Sequence, residues 1–193
     1  MTNFVSIEDF YSSNISCGQR SWHLWTPENH QVLFTSERDY KIGMDLIAIS
    51  ALLHPDVRVL TFELMSNHVH MTLIGREAAV HDLFNTFKKY LARHFEHQYY
   101  YVDLSNFLCF LRELRSVAEV RDVISYNNRN GFVVNPDTTP FSYRWGANRF
   151  FFNPDAKLRY AKETTKMTIR QRRELTHGRA ADALGSVMML YGW

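Results

Sequence analysis

Cysteine is scarce in this chain. Cys17 and Cys109 are the only two in 193 residues, and they are far apart. That excludes a zinc ribbon and a disulfide-stapled scaffold, and it fits a reducing cytosol. An excess of one charge is also lacking. The 22 Lys and Arg against 20 Asp and Glu leave a net +2, so the chain is no wholesale polycation. Any contact with nucleic acid has to rest on local basic patches. Long apolar runs are missing. No stretch approaches the ~20 residues of a membrane span. The opening MTNFVSIEDFYSSN carries acids and no apolar run of signal-peptide length. Repeats and low-complexity tracts are absent as well. These absences predict a soluble, cytoplasmic globular protein. Aromatics, by contrast, reach 15%. They either fill an aromatic-rich core or stack on unpaired bases, and composition does not separate the two.

Local patterns divide the chain into alternating elements. Residues 20–27 (RSWHLWTP) read as a strand ending at Pro27. Thr35 and Ser36 are N-cap types, Glu37 and Asp39 suit a first helical turn, and Tyr40, Met44, Ile47 and Ala51 recur about one turn apart. That predicts a helix to about Leu53, blocked by Pro55. Residues 57–65 and 68–74 are β-branched and apolar, with Ser66-Asn67 between them, which predicts an antiparallel hairpin closed by Gly75. Residues 78–97 form an amphipathic helical pattern. Residues 98–114 fit strand or irregular structure. Ser116 and Glu119 form a capping box that starts a helix at Val117, expected to run to Asn130 with Gly131 as its C′ residue. The aromatic stretch 141–153 reads as an edge strand or a substrate-facing loop. Residues 156–185 are polar, basic and helix-permissive. The resulting order, β-α-β-β-α-(β)-α-tail, predicts an α+β fold: an antiparallel β-sheet with helices packed on it. Residues 1–153 form the expected main domain and 154–193 a basic, mainly helical C-terminal segment.

The chemistry-bearing residues sit on these elements. His68 and His70 are two apart in a strand, so both project from one face while Val69 points to the other. Two imidazoles side by side suit one divalent metal. Tyr126 and Asn130 are i and i+4 on the third helix, which would stack a phenol and an amide on one face. The His94-Phe95-Glu96-His97 cluster lacks an HExxH pattern and reads as a helix end.

The segment Phe62-Glu63-Leu64-Met65-Ser66-Asn67-His68-Val69-His70-Met71-Thr72-Leu73 resembles the signature of the single-tyrosine, transposase-like branch of the HUH single-stranded-DNA nucleases, whose usual form is Met-Pro-Asn-His-Val-His before an apolar run. Ser66 replaces the usual Pro. Tyr126 and Asn130 in Tyr126-Asn127-Asn128-Arg129-Asn130-Gly131 resemble the family's Tyr-Ile-x-x-Asn-Pro, with Asn127 at an ordinarily apolar position and Gly131 in place of Pro. Ser21-Trp22-His23-Leu24-Trp25-Thr26 is similar to the family's first strand, with His23 read as structural. The resemblance spans about Arg20 to Asn153.

The resemblance implies a ferredoxin-like or RRM-like fold. It implies a Mg²⁺ or Mn²⁺ ion held by His68, His70 and the carbonyl of Asn130, with Tyr126 as nucleophile on a DNA phosphate. A phenol titrates near about 10, so the cation's help with charge and alignment matters. A 5′-phosphotyrosine link would form, and a 3′-OH would later reverse it without ATP. Single-stranded or hairpin DNA is the implied partner. Lys88, Lys89, Arg93, Arg144, Trp145 and Arg149 are the expected DNA-contacting residues. Further basic residues lie between Lys157 and Arg173, and the aromatics Tyr143, Trp145, Phe150, Phe151 and Phe152 interleave with Arg144 and Arg149. Three alternatives stay open: a non-catalytic DNA-binding descendant, a replication initiator or relaxase, and a homodimer sharing its active site. Should Tyr126 not be the nucleophile, Tyr99, Tyr100 and Tyr101 are next in line.

Overall fold

The computed structural model describes residues 18–28, 31–97, 102–134, 137, 139, 142–147, 161–163, 168, 170 and 188–190. The first strand, β1 (Arg20–Trp25), leads to helix α1 (Glu37–Leu53). The hairpin β2 (Arg58–Leu64) and β3 (Val69–Gly75) follows, then helix α2 (Glu77–His97), strand β4 (Phe110–Leu114) and helix α3 (Val117–Asn127). A five-residue helix, α4 (Asn130–Val134), comes next. The strands form one sheet in the order β2-β3-β1-β4, with every neighbouring pair antiparallel. Two split βαβ units interleave to give this ferredoxin-like order, the α+β architecture expected from the pattern of elements.

Alternation along the strands divides the core. Trp22 and Leu24 of β1 and Val69, Met71 and Leu73 of β3 face α1 and α2, where they meet Met44, Ile47, Leu83, Phe87 and Leu91 in the main hydrophobic cluster. Each fully buried side chain of this size contributes about 1.5–3 kcal/mol. The opposite face carries α3 over a smaller cluster of Leu114, Val120 and Val123, with Leu60 and Ile124 against it. Val120, Val123 and Ile124 are the side chains by which this helix docks. His23, Trp25, His70 and Thr72 share the α3 face by the same alternation.

A bulge in β2 decides what else reaches that face. Val59 opposes Leu73 and Thr61 opposes Thr72, so Leu60 is the extra residue. One inserted residue reverses the alternation. Beyond it Phe62 opposes Met71, and Glu63 comes opposite His70.

The helix starts follow their caps. Ser36 caps α1 with its side chain accepting from the Asp39 N–H, and the Asp39 carboxylate closes the capping box. Ser116 caps α3 with its side chain accepting from the Glu119 N–H, but the box is not reciprocal: the Glu119 carboxylate accepts from the Arg115 N–H, one residue before the cap.

The end of α3 differs from the sequence expectation. The helix stops at Asn127, and Asn130 opens a separate short helix. The Arg129 N–H turns to Tyr126 O at 3.0 Å, a tightened i→i−3 bond. The Gly131 N–H, which would continue the ladder, is taken by the Glu63 Oε1 at 3.0 Å. Gly131 is therefore no left-handed C′ residue; Gly18 is the only glycine with positive φ among the described residues. Its role is close approach, since a Cβ there would strike the Tyr143 ring and lie 2.9 Å from Glu63 Oε1.

Two further stretches depart from expectation. Of residues 141–153, those described form turns against the β2 edge, joined by the Glu63–Gly146 bridge and the Leu64 N–H to Trp145 O bond of 2.8 Å. Within the tail expected to be helical, β5 (Ala161–Glu163) pairs antiparallel with β6 (Met188–Leu190), so these residues are extended. Most of 154–193, and with it the proposed domain boundary, lies outside the described residues. No helix among those described is long and apolar enough to cross a membrane.

Candidate active site

The β2–β3 turn closes through the Met65 N–H to His68 O bond of 2.9 Å, with Ser66 and Asn67 at its centre. His68 precedes β3 and His70 lies within it, so both rings emerge on the α3 side, 5.1 Å apart between centroids and nearly perpendicular. Val69 is fully buried in the main core, as the alternation requires. The chain leaving β1 is laid alongside this turn. Thr26 donates its N–H to Val69 O at 3.1 Å, and its Oγ1 accepts from the Val69 N–H at 3.0 Å. The Asn67 amide donates to Glu28 O at 2.6 Å. Glu28 is thereby carried to the histidines: its Oε1 lies 3.8 Å from His68 Nε2, and ligand atoms of Glu28, His68 and His70 all fall within 4.8 Å of one another.

The hydrogen bonds around the imidazoles suit a cation. His68 Nδ1 is 2.8 Å from Asn67 Oδ1, which accepts its proton and leaves Nε2 with a free lone pair. His70 Nδ1 is 3.3 Å from His23 Nε2, while His70 Nε2 is buried with no hydrogen-bond partner among the described residues. An orphaned buried nitrogen is costly unless something fills it. Burial also holds the rings neutral, the state in which imidazole binds metal. It lowers His68, against the opposing pull of Glu28. It takes His70 down to about 3, helped by the neighbouring His68 and His23, and His23 down to about 4, helped by Arg112. Two nitrogens and a carboxylate oxygen are together a donor set that could hold a divalent ion.

Tyr126 projects from α3 over the same histidines. Its ring centroid is 5.8 Å from that of His70 and 6.1 Å from that of His23, edge-on to both, and the residue is 49% exposed. A cleft of about 520 Å³ opens here, lined by His23, Trp25, Thr26, Pro27, Glu28, His70, Arg112, Asp122, Val123 and Tyr126. The next residue along α3, Asn127, is fully buried. Its amide donates to Thr72 Oγ1 at 3.1 Å and lies beside His23, tying the tyrosine helix to the sheet under the histidine-bearing face. The apolar position of the family pattern is thus filled by a polar tether.

The other expected site residues are dispersed. Asn130 does not line the cleft; it is half-buried at the head of α4, with its Nδ2 lacking a partner among the described residues. Next to it, Glu63 is buried, and desolvation lifts its carboxyl to about 8 despite the Gly131 N–H. Lys88, Lys89 and Arg93 belong to α2, in the layer on the far side of the sheet. Arg144 pairs with Glu37 and stacks over Trp145, which in turn stacks on Tyr40 at 4.8 Å. That places both at the start of α1. Arg149 and Tyr99–Tyr101 lie outside the described residues. His94 Nε2 is 3.3 Å from Asp39 Oδ1, so the second histidine cluster contributes a tie between α1 and α2. Sequence reasoning passes over Glu28, Arg112 and Asn127 and gives His23 only a structural part. Their contacts join residues far apart in the chain, and no local motif marks them.

No protein-family model and no curated protein sequence matches the chain. Among solved structures, it is similar to a REP-associated tyrosine transposase bound to a REP hairpin, at 10% identity and a TM-score of 0.49, over 67% of this chain and 77% of that one.

Proposed function

We propose that the protein is a metal-dependent single-stranded-DNA endonuclease and strand transferase of the HUH single-tyrosine kind, with Tyr126 as nucleophile. The observation that carries this reading is the meeting of Tyr126 with His70 in one open cleft, beside a neutral histidine pair and a carboxylate. His68, His70 and Glu28 would hold the ion. Asn130, the oxygen donor implied by the family pattern, stands apart from them. A divalent ion there supplies positive charge to a bound phosphate and helps align it. The cleft needs that charge: with its histidines neutral, Arg112 faces the two carboxylates Glu28 and Asp122.

The residues of the chain do the rest. His23 and Asn67 hold the two ligand rings by their Nδ1 atoms. Asn127 anchors the helix that presents the phenol. The Tyr126 oxygen attacks phosphorus, its proton passing to the solvent to which it is open. A 5′-phosphotyrosine bond forms as the bond to the 3′-oxygen breaks, and that oxygen leaves as a 3′-OH after taking up a proton. Attack by a 3′-OH on the same linkage rejoins the strands. Lys88, Lys89 and Arg93 would contact only DNA long enough to pass round to the α2 layer, such as a hairpin stem.

A denaturing gel with hairpin-tailed single strands and Mn²⁺ tests this. Wild type should give a covalent protein–DNA adduct. Tyr126→Phe, His70→Ala and chelation should each abolish it. An adduct that survives Tyr126→Phe overturns the assignment, and binding without any adduct favours a non-catalytic DNA-binding protein.

A further inference from the structure

The β4 edge of the cleft carries groups that the metal and nucleophile do not use. Trp25 and Phe110 are direct cross-strand partners, and their rings stack at 5.8 Å with 22° between planes. Trp25 lines the cleft, and Phe110 is 44% exposed beside it. Two residues along β4 on the same face, Arg112 opposes His23 and also lines the cleft. Glu113, its neighbour, faces the other side and pairs with Arg20 and Arg115, so Arg112 has no ion pair among the described residues. A strand advances about 3.4 Å per residue, which sets the backbone positions of Phe110 and Arg112 roughly 7 Å apart along the edge.

We propose that Trp25, Phe110 and Arg112 form a nucleotide subsite: an unpaired base of single-stranded DNA stacks on the Trp25–Phe110 pair while Arg112 takes an adjoining phosphate. The inference rests on the nucleic-acid reading of the cleft but not on its cutting chemistry. A large apolar side chain left open to water at the mouth of a polar cleft costs free energy unless a flat partner covers it. A base offers that face whatever its sequence, so the subsite ties down one nucleotide next to the metal without reading it. The carboxylates Glu28 and Asp122 lie in the same cleft, so the guanidinium is the permanent positive charge there that can hold a phosphate away from the ion.

The test uses the full chain carrying Tyr126→Phe, in chelator, so that neither cutting nor metal enters. The probe is a fluorescent oligothymidylate of about eight nucleotides. Replacing Trp25 or Phe110 by Ala should weaken binding about 5- to 100-fold, with circular dichroism verifying the fold. Arg112→Gln should lower the salt slope by about one. One abasic nucleotide scanned through the probe should cost affinity at a single position in the parent and nothing there in Trp25→Ala. Retained affinity in both Ala variants, or an abasic penalty unchanged by Trp25→Ala, overturns the subsite. Absence of an adduct in the cleavage assay, with these binding effects intact, would instead overturn the enzymatic reading alone.

Discussion

At the scale of single residues, the candidate site depends on side chains outside the set of His68, His70, Glu28 and Tyr126. Asn67 acts twice, accepting from His68 Nδ1 and donating to the Glu28 carbonyl. Asn67→Leu keeps the size and loses both bonds, so Mn²⁺ affinity should fall by about 10- to 100-fold in calorimetry. Unchanged affinity would show that the turn alone orients the ring. Glu63 makes a pH prediction. In the unfolded chain its carboxyl titrates at 4.5, and in the fold burial lifts it to about 8. Between those values the unfolded chain gives up the proton and the folded one keeps it. This residue's contribution therefore weakens folding as pH rises through that window. Glu63→Gln should flatten the fall in urea midpoint between about pH 5 and about pH 8 relative to wild type. An identical fall in both proteins would rule out Glu63 as its source.

At the scale of elements, the start of α1 holds several bonds in one carboxylate. Asp39 accepts from the Thr35 and Ser36 N–H groups and from both their hydroxyls, and it meets His94 on α2. Ser36→Ala should cost about 1 kcal/mol as an ordinary lost N-cap. Asp39→Ala should cost more, about 2–3 kcal/mol, because the bond from the buried His94 to this carboxylate goes as well. Equal losses in denaturant titrations would mean that the tie between the helices carries no weight. Much of this level was readable beforehand. Ser36 and Ser116 announce their helices by capping chemistry that is complete within four residues. The end of α3 was not readable, because the Gly131 N–H is claimed by Glu63, 68 positions away in the chain.

At the scale of the whole molecule, the sheet separates the candidate site from the basic residues of α2. The histidines, Tyr126 and Arg112 occupy the α3 face, whereas Lys88, Lys89 and Arg93 ride on α2 behind it. Replacing Lys88, Lys89 and Arg93 together by Ala should leave binding of a short single strand within about 2-fold while weakening a long hairpin through lost phosphate contacts. Equal weakening for both probes would place the α2 layer in contact with the nucleotides in the cleft.

The sequence by itself determined the order of elements, the pairing of the hairpin and the shared face of His68 and His70, because periodicity, caps and alternation act over a few neighbouring residues. Only the tertiary structure decided which groups join that pair. Glu28 arrives because the turn's Asn67 grips its backbone, Glu63 reaches the α3 face through a bulge at Leu60, and His23 and Arg112 come alongside by strand pairing. Each of these is a contact between distant segments, and its partners become neighbours only when the sheet assembles.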